Sequence, residues 1–336
     1  MNTMELNDKA IQRQDFVEFM PVSIFGGVMG LSALCFAWRI ASQSFHVNRL
    51  IAEIFGWTAI LVFVLLAITY AARWMRHPDL VKKEFGNTVS VGFFSTVIIS
   101  LLLIPGVLLP YAPVLGNVIW LLGITLTLMF ASYVLHKWLS EQQMPQNAMP
   151  VWVLPVVGTL NVPIVGNSLK FEGAHEFCVM FFGIGIIFII IMMAIIISRL
   201  IFQPQLPVAL QPSLMILVAP FALAFNGYEG LIGKQDLLAS VFFYFCLFLL
   251  LIFGSKVWLL SKCCPFQVSW WSVSFPLSSI SGASLRYAQN QPDTVHRVLA
   301  GFLLSLTTLV ILYLLLQTLY QIWTGRFMPA VTSTEI

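Results

Sequence analysis

Residues 182–197 read FGIGIIFIIIMMAIII and residues 237–253 read LLASVFFYFCLFLLLIF, and neither run contains a charged residue or a proline. Runs of this kind are typical of helices that cross a bilayer, which need about 20 mostly apolar residues. The whole chain of 336 residues has the same character, with 59% hydrophobic and 9% charged residues. Soluble domains carry about 25% charged residues. The sequence therefore predicts an all-α integral membrane protein with no room for a soluble catalytic domain.

The breaks between apolar runs predict about ten transmembrane helices joined by short loops. They lie near residues 17–41, 47–75, 88–110, 112–140, 149–170, 174–203, 209–232, 236–262, 267–290 and 293–324. Residues 1–16 and 325–336 are then short tails on the same side. Lys and Arg concentrate on that side, most densely in RWMRHPDLVKKEF at 73–85. The positive-inside rule predicts that both termini are cytoplasmic, and we expect the protein in the plasma (inner) membrane.

Proline alternates along the chain with the predicted helices. The odd-numbered helices contain the interior prolines, and the even-numbered ones contain none: Pro21; Pro105 and Pro110; Pro150, Pro155 and Pro163; Pro212 and Pro220; Pro276. Proline frees a backbone carbonyl and bends the helix, and in lipid such groups need partners inside the protein. We therefore predict five hairpins, each with a bent inner and a straight outer helix, in a pseudo-fivefold arrangement around a central pore.

The predicted inner helices supply the candidates for the pore lining. These are Ser23, Gly26, Gly30, Pro105, Pro155, Gly158, Pro220, Ser274, Pro276 and Ser278. Gly26 and Gly30 also fit a GxxxG packing motif, which is the plainer interpretation of either glycine. No ionisable residue lies in the middle of these helices, and this argues against a proton-coupled carrier. Phe275 lies in the most hydroxyl-rich of them and is the candidate for a plug.

Motifs of soluble enzymes are missing from the sequence. There is no GxxxxGK[ST], HExxH or CxxC, and the histidines fall at loops or helix ends. We therefore expect no catalytic residues, no cofactor, no bound metal and no nucleic-acid partner. The adjacent Cys263 and Cys264 leave open a lipidated or redox-active pair at a helix end.

Four stretches resemble the tellurite-resistance/dicarboxylate transporter family, which includes bacterial TehA and the plant slow-type anion channels. FGGVMGLSALCFAW at 25–38 is similar to the family's FGxxxGLxALxxAW, Leu154-Pro155 and Ala219-Pro220 fall at its LP and AP kinks, and WWSVSFPL at 270–277 matches WWxxSFP. Val28 stands where the bacterial pattern has proline. The resemblance implies ten helices in five hairpins, a pore through each protomer of a homotrimer, and a Phe275 ring that occludes the pore.

The sequence is compatible with three functional hypotheses. The first is a gated, passive channel for small monovalent anions such as chloride and nitrate, closed by Phe275. The second is a secondary transporter of C4-dicarboxylates such as malate, or of sulfite or tellurite, in which Arg39 and Arg286 attract a dianion. The third is a membrane scaffold or sensor without transport, for which bent, serine-rich inner helices would have no use.

Overall fold

The computed structural model describes Glu18 and residues 20–260, 266–291 and 293–324. The predicted tails, residues 1–16 and 325–336, lie outside this part of the chain, as do Cys263 and Cys264. Every element of regular secondary structure in the described residues is helical. The prediction of an all-α protein is confirmed.

Eight described segments are long and apolar enough to cross a membrane. They are α1 (Val22–Ser44), α2 (Leu50–Arg76), α3 (Ser90–Leu108), α4 (Pro113–Ser140), α6 (Ala174–Phe202), α7 (Val208–Ile232), α8 (Leu237–Leu259) and α10 (Thr294–Trp323). Between them lie α5 (Pro150–Gly166), which is shorter, and α9, which consists of Val268–Val273 followed by Ser274–Asn290. A short helix, Pro78–Gly86, connects α2 to α3. The chain is thus an integral membrane protein.

α5 and α9 differ from the eight long apolar helices in different ways: α5 is shorter, and α9 has a lower mean hydropathy. Proline breaks α5 into alternating 3₁₀ and α-helical pieces. The serines of α9 lower its mean hydropathy, and most of them bond to backbone carbonyls. Ser278 Oγ donates to Gly30 O at 2.9 Å, and the single proton of Ser274 Oγ is within reach of Trp271 O at 2.7 Å and of Gly26 O at 3.3 Å. These hydroxyls hold α9 against α1.

A 3₁₀ stretch opens each of the odd-numbered helices. These stretches are Val22–Phe25, Ser90–Phe94, Pro150–Trp152, Val208–Leu217 and Val268–Val273. The even-numbered helices are α-helical over their described length. Proline within or next to a helix start removes a donor and favours such irregular turns. Proline accounts for part of this pattern: it lies within or next to Val22–Phe25, Pro150–Trp152 and Val208–Leu217. Ser90–Phe94 has no proline beside it, and Pro113 opens the fully α-helical α4, so the 3₁₀ geometry follows the odd-numbered helices and not proline alone.

Burial shows the same alternation. In the central windows of α1, α3 and α7, 78%, 67% and 72% of the residues are buried within the protein, against 28% to 33% in α2, α4, α6, α8 and α10. The odd-numbered helices are the inner ones, and the even-numbered helices expose most of their apolar surface.

Helix contacts link the inner helices into a closed series. Within the described residues, α1 packs on α3, α3 on α5, α5 on α7, α7 on α9, and α9 on α1. Each even-numbered helix packs on the inner helix that precedes it in the chain. The described inner helices thus contact one another in a closed series, and each even-numbered helix packs on one member of that series.

Asp293 starts the last helix. Its Oδ1 accepts the backbone N–H of His296 at 2.8 Å, and its Oδ2 lies 2.6 Å from the ring Nδ1 of the same residue. The hydrogen bond from the backbone N–H of His296 and, to a smaller extent, the hydrogen bond with its ring hold the pKa of Asp293 below its usual range. Asp293 thus acts as the N-cap of α10.

Candidate functional site

A wide cavity of about 510 Å³ lies among the inner helices. Every residue that lines it belongs to α1, α3, α5, α7 or α9, or directly follows one of them. Its polar lining consists of Arg39, Gln43, Asn167, Ser168, Asn226, Ser278, Ser279 and Arg286. The cavity therefore combines two cations with neutral hydrogen-bonding groups.

A narrow cavity of about 40 Å³ lies toward the opposite end of α9 from the wide one. The inner helices again supply its whole lining, which includes Ser23, Gly26, Thr96, Ser272 and Pro276. Much of that lining comes from the 3₁₀ stretches that open these helices. No charged side chain lines this cavity in the part of the chain that the structure describes.

Phe275 lies between the two cavities and borders both of them. It also borders a void of about 10 Å³ that Gly158, Asn161 and Pro220 line. Its side chain is only 5% exposed. The wide cavity is lined by Phe275 and α9 residues after it, and the narrow one mainly by α9 residues up to Phe275, so Phe275 lies between two spaces along α9.

Arg39, at the wide cavity, is held by a dense set of hydrogen bonds. Its Nε and Nη2 lie 3.0 and 2.7 Å from the two carboxylate oxygens of Glu53 on α2. Its Nη1 donates to Gly106 O at 2.7 Å and its Nη2 to Val107 O at 3.1 Å, both on α3. Arg49 Nε adds a third charged contact to Glu53 at 3.0 Å. The cluster ties α1, α2 and α3 together.

The predicted lining residues fall into three groups. Those that border the wide cavity, the narrow cavity or the void beside Phe275 are Ser23, Gly26, Gly158, Pro220, Phe275, Pro276 and Ser278. Gly30, Pro105 and Ser274 border neither of these cavities, nor the void beside Phe275, nor a separate void of about 10 Å³ between α3, α4 and α5. Pro155 borders this separate void. The role of all these residues in a pore stays a prediction.

Three asparagines near Phe275 and the wide cavity were not among the predicted lining residues. Asn167 and Asn226 line the wide cavity, and Asn161 lines the void beside Phe275 with a buried Oδ1 that has no hydrogen-bond partner among the described residues. In the sequence, Asn161 and Asn226 stood out as amides within apolar stretches, whereas Asn167 follows the end of α5 in a polar stretch. Within the same part of the chain, no three His, Cys, Asp or Glu side chains come together as a metal site.

The fold and the cavities define a polytopic α-helical membrane protein whose polar spaces are enclosed by its inner helices. A family model for SLAC1, described as a voltage-dependent anion channel, matches residues 20–319. The chain belongs to this family, and the resemblance drawn from its four motifs is confirmed. The family consists of channels and transporters, which also confirms that the chain is not an enzyme.

The chain is similar to curated proteins of plants and bacteria. It is 22% identical to the S-type anion channel SLAH2 of Arabidopsis thaliana over 97% of this chain and 64% of the relative. It is 24% identical to the guard cell S-type anion channel SLAC1 of the same plant over 93% and 58%. It is 24% identical to the tellurite resistance protein TehA homolog of Haemophilus influenzae over 92% of each chain. The chain thus spans less than two thirds of the length of these plant relatives.

Proposed function

We propose that this protein is a gated, passive anion channel whose path runs through the inner helices and is closed at Phe275. The observation that carries the proposal is the position of the Phe275 ring, which borders a cavity on either side. The uncharged lining described for the narrow cavity and the two arginines at the wide one suit an anion that enters easily and binds weakly, as conduction requires. Small monovalent anions such as chloride and nitrate are the proposed ions.

The proposed architecture is ten crossing helices in five hairpins with pseudo-fivefold symmetry. The closed series of contacts among α1, α3, α5, α7 and α9 supports it, as does the burial of the odd-numbered helices. We further propose that α5 and α9 cross the bilayer with the others, and that Ser23, Gly26, Gly158, Pro220, Pro276 and Ser278 line the path. The homotrimer is proposed from the family resemblance.

Charge distribution supports the proposed orientation. The helix Pro78–Gly86 carries Lys82 and Lys83 just beyond the end of α2, where Arg73 and Arg76 lie in the last turn. Short basic loops remain in the cytoplasm. The proposal places this side and both termini in the cytoplasm, and the protein in the plasma or inner membrane.

The relatives named as anion channels support conduction of anions, but each of these plant proteins is longer than this chain. Recording from purified protein in planar bilayers provides the direct test. Under a chloride gradient, we expect a reversal potential near that of chloride. Replacing chloride by nitrate, malate or sulfite on one side then ranks the anions. Currents carried by the cation, or no currents from folded protein, would contradict the proposal.

A secondary transporter of C4-dicarboxylates, sulfite or tellurite is the second candidate. The observation that favours it is the size of the wide cavity, since about 510 Å³ falls within the usual range of about 300–1,000 Å³ for sites of small organic ligands. Uptake of malate or sulfite into liposomes that saturates and requires an imposed proton gradient would support this candidate over the channel.

A further inference from the structure

Two arginines border the wide cavity, and their surroundings differ. The Arg39 side chain is 16% exposed, and its guanidinium makes four hydrogen bonds, two of them to the carboxylate of Glu53. An arginine has five N–H donors, so Arg39 has little capacity left for a ligand. Its charge is also balanced by a carboxylate in direct contact.

Arg286 is less constrained. Within the described residues its ion-pair partner is Glu229, and the distance from Nη1 to Oε2 is 3.7 Å. This exceeds the usual range of a hydrogen bond. The Arg286 side chain is 39% exposed and lines the wide cavity. Its donors are therefore available to a ligand in that cavity.

Glu229 completes a loose pair with Arg286. Its Oε1 accepts a hydrogen bond from Asn290 Nδ2, whereas its Oε2 is buried and receives none from the described residues. An anion could bind the donors of Arg286 without breaking a hydrogen bond between Arg286 and Glu229. The charge of Glu229 opposes that binding and keeps it weak.

The rest of the cavity fits an anion with more than one polar atom. The amides of Gln43, Asn167 and Asn226 share the lining with Arg286. The planar guanidinium offers two parallel donors to carboxylates and similar oxyanions, which a spherical halide can use less well. The volume of about 510 Å³ leaves room for such an anion with its hydration water.

We infer that the wide cavity is a binding site for a planar oxyanion, a carboxylate or nitrate. Arg286 binds this anion, and the charge of Glu229 lowers its affinity. The inference rests on the proposed function, because the bound anion is the one that would pass Phe275. Binding itself does not require the ring to move. It can therefore be measured in the closed protein, apart from any current.

The test uses line broadening of the chlorine NMR signal with the full-length protein in detergent, which detects weak chloride binding. Nitrate and acetate are added as competitors at constant ionic strength. We expect Arg286→Gln to weaken the competitor-sensitive binding by about tenfold, the effect of losing a charged hydrogen-bond donor. Arg297→Gln is the matched control, because Arg297 is exposed at the start of α10 and does not line the cavity. It should leave that binding unchanged.

Two further variants keep the inference testable even if Arg286→Gln fails to fold. Glu229→Gln should tighten binding, and Arg286→Lys should keep chloride binding while reducing the preference for the oxyanions. Competition by nitrate alone, or by acetate alone, supports the oxyanion binding site and identifies its ligand. Competition by neither, or equal binding in the parent, Arg286→Gln and Glu229→Gln proteins, would overturn it. Binding that behaves as expected without any bilayer current would refute the channel activity and still support the binding site.

Discussion

Replacing Phe275 by Ala should raise the anion current of purified protein in planar bilayers. Phe275 borders both the wide cavity and the narrow one, and the residue is 5% exposed. Fully burying a phenylalanine side chain is worth about 1.5–3 kcal/mol, and opening the path by moving the ring would cost a similar amount. Because about 1.4 kcal/mol corresponds to a factor of ten in an equilibrium, the open fraction should rise about tenfold to a hundredfold.

A graded series distinguishes loss of the gate from general loosening of the protein. Phe275→Leu should give a smaller increase than Phe275→Ala. Phe225→Leu is the matched control, because Phe225 is also buried, on α7, but borders none of the four cavities. Currents are compared per amount of protein that elutes as a single species. An unchanged current in Phe275→Ala, or an equal increase in Phe225→Leu, would refute the assignment of Phe275 as the gate.

Three other predictions concern the scaffold around the cavities. Glu53→Gln leaves two arginines without their carboxylate and should destabilise the protein by about 3–5 kcal/mol, seen as a lower thermal unfolding midpoint; an unchanged midpoint would contradict this. Gly92→Ala places a Cβ 3.0 Å from a backbone carbonyl of α5 and should lower the free energy of unfolding by about 1–3 kcal/mol. Gly183→Ala is the control: its Cβ would have no atom within 4 Å, so the free energy of unfolding should stay the same or rise slightly. The lowered pKa of Asp293 means that its cap stabilises α10 above the ordinary value of 3.8 and is lost as pH falls through the lower folded value. The protection of amides at the start of α10 against hydrogen exchange, taken relative to their intrinsic exchange rate at each pH, should therefore fall with acid, and Asp293→Ala should remove that change.

The positions of proline predicted which helices lie inside, because a proline in any membrane helix frees backbone groups that lipid cannot hydrogen-bond. A residue such as Pro212 or Pro276 exposes backbone groups that only protein or water can satisfy. The burial of α3, which contains Pro105, and of α7, which contains Pro212, agrees with this requirement. The prediction of an interior proline in the first helix was wrong, because Pro21 precedes Val22, and α1 is buried without one. The predicted ends of α5, 149 and 170, lie close to the observed Pro150 and Gly166.

The face that each inner helix turns toward the cavities was harder to predict. A 3₁₀ helix has about 3.0 residues per turn against about 3.6 for an α-helix, so six residues such as Val268–Val273 rotate the next α-helical turns by about 120°. The sequence does not reveal where one geometry changes to the other. Gly30 and Ser274 look like lining residues by composition, but they lie at the contact between α1 and α9.

Long-range pairing also lies beyond sequence patterns. Arg39 and Glu53 fall on different helices, and nothing in their spacing indicates that they form a pair while Arg286 and Glu229 stay 3.7 Å apart. That difference decides which arginine can meet a ligand. It depends on the positions of side chains that only the folded protein supplies.

The 3₁₀ stretches of α5 change how far that helix can reach. Its two 3₁₀ stretches have three and four residues, and its two α-helical stretches have five residues each. With rises of about 2.0 and 1.5 Å per residue, the segment extends about 29 Å along its axis. The hydrocarbon core of a bilayer is about 30 Å thick. A stretched backbone thus allows a helix with few residues to match the thickness of the membrane, and the same extension makes it slender where the inner helices crowd together.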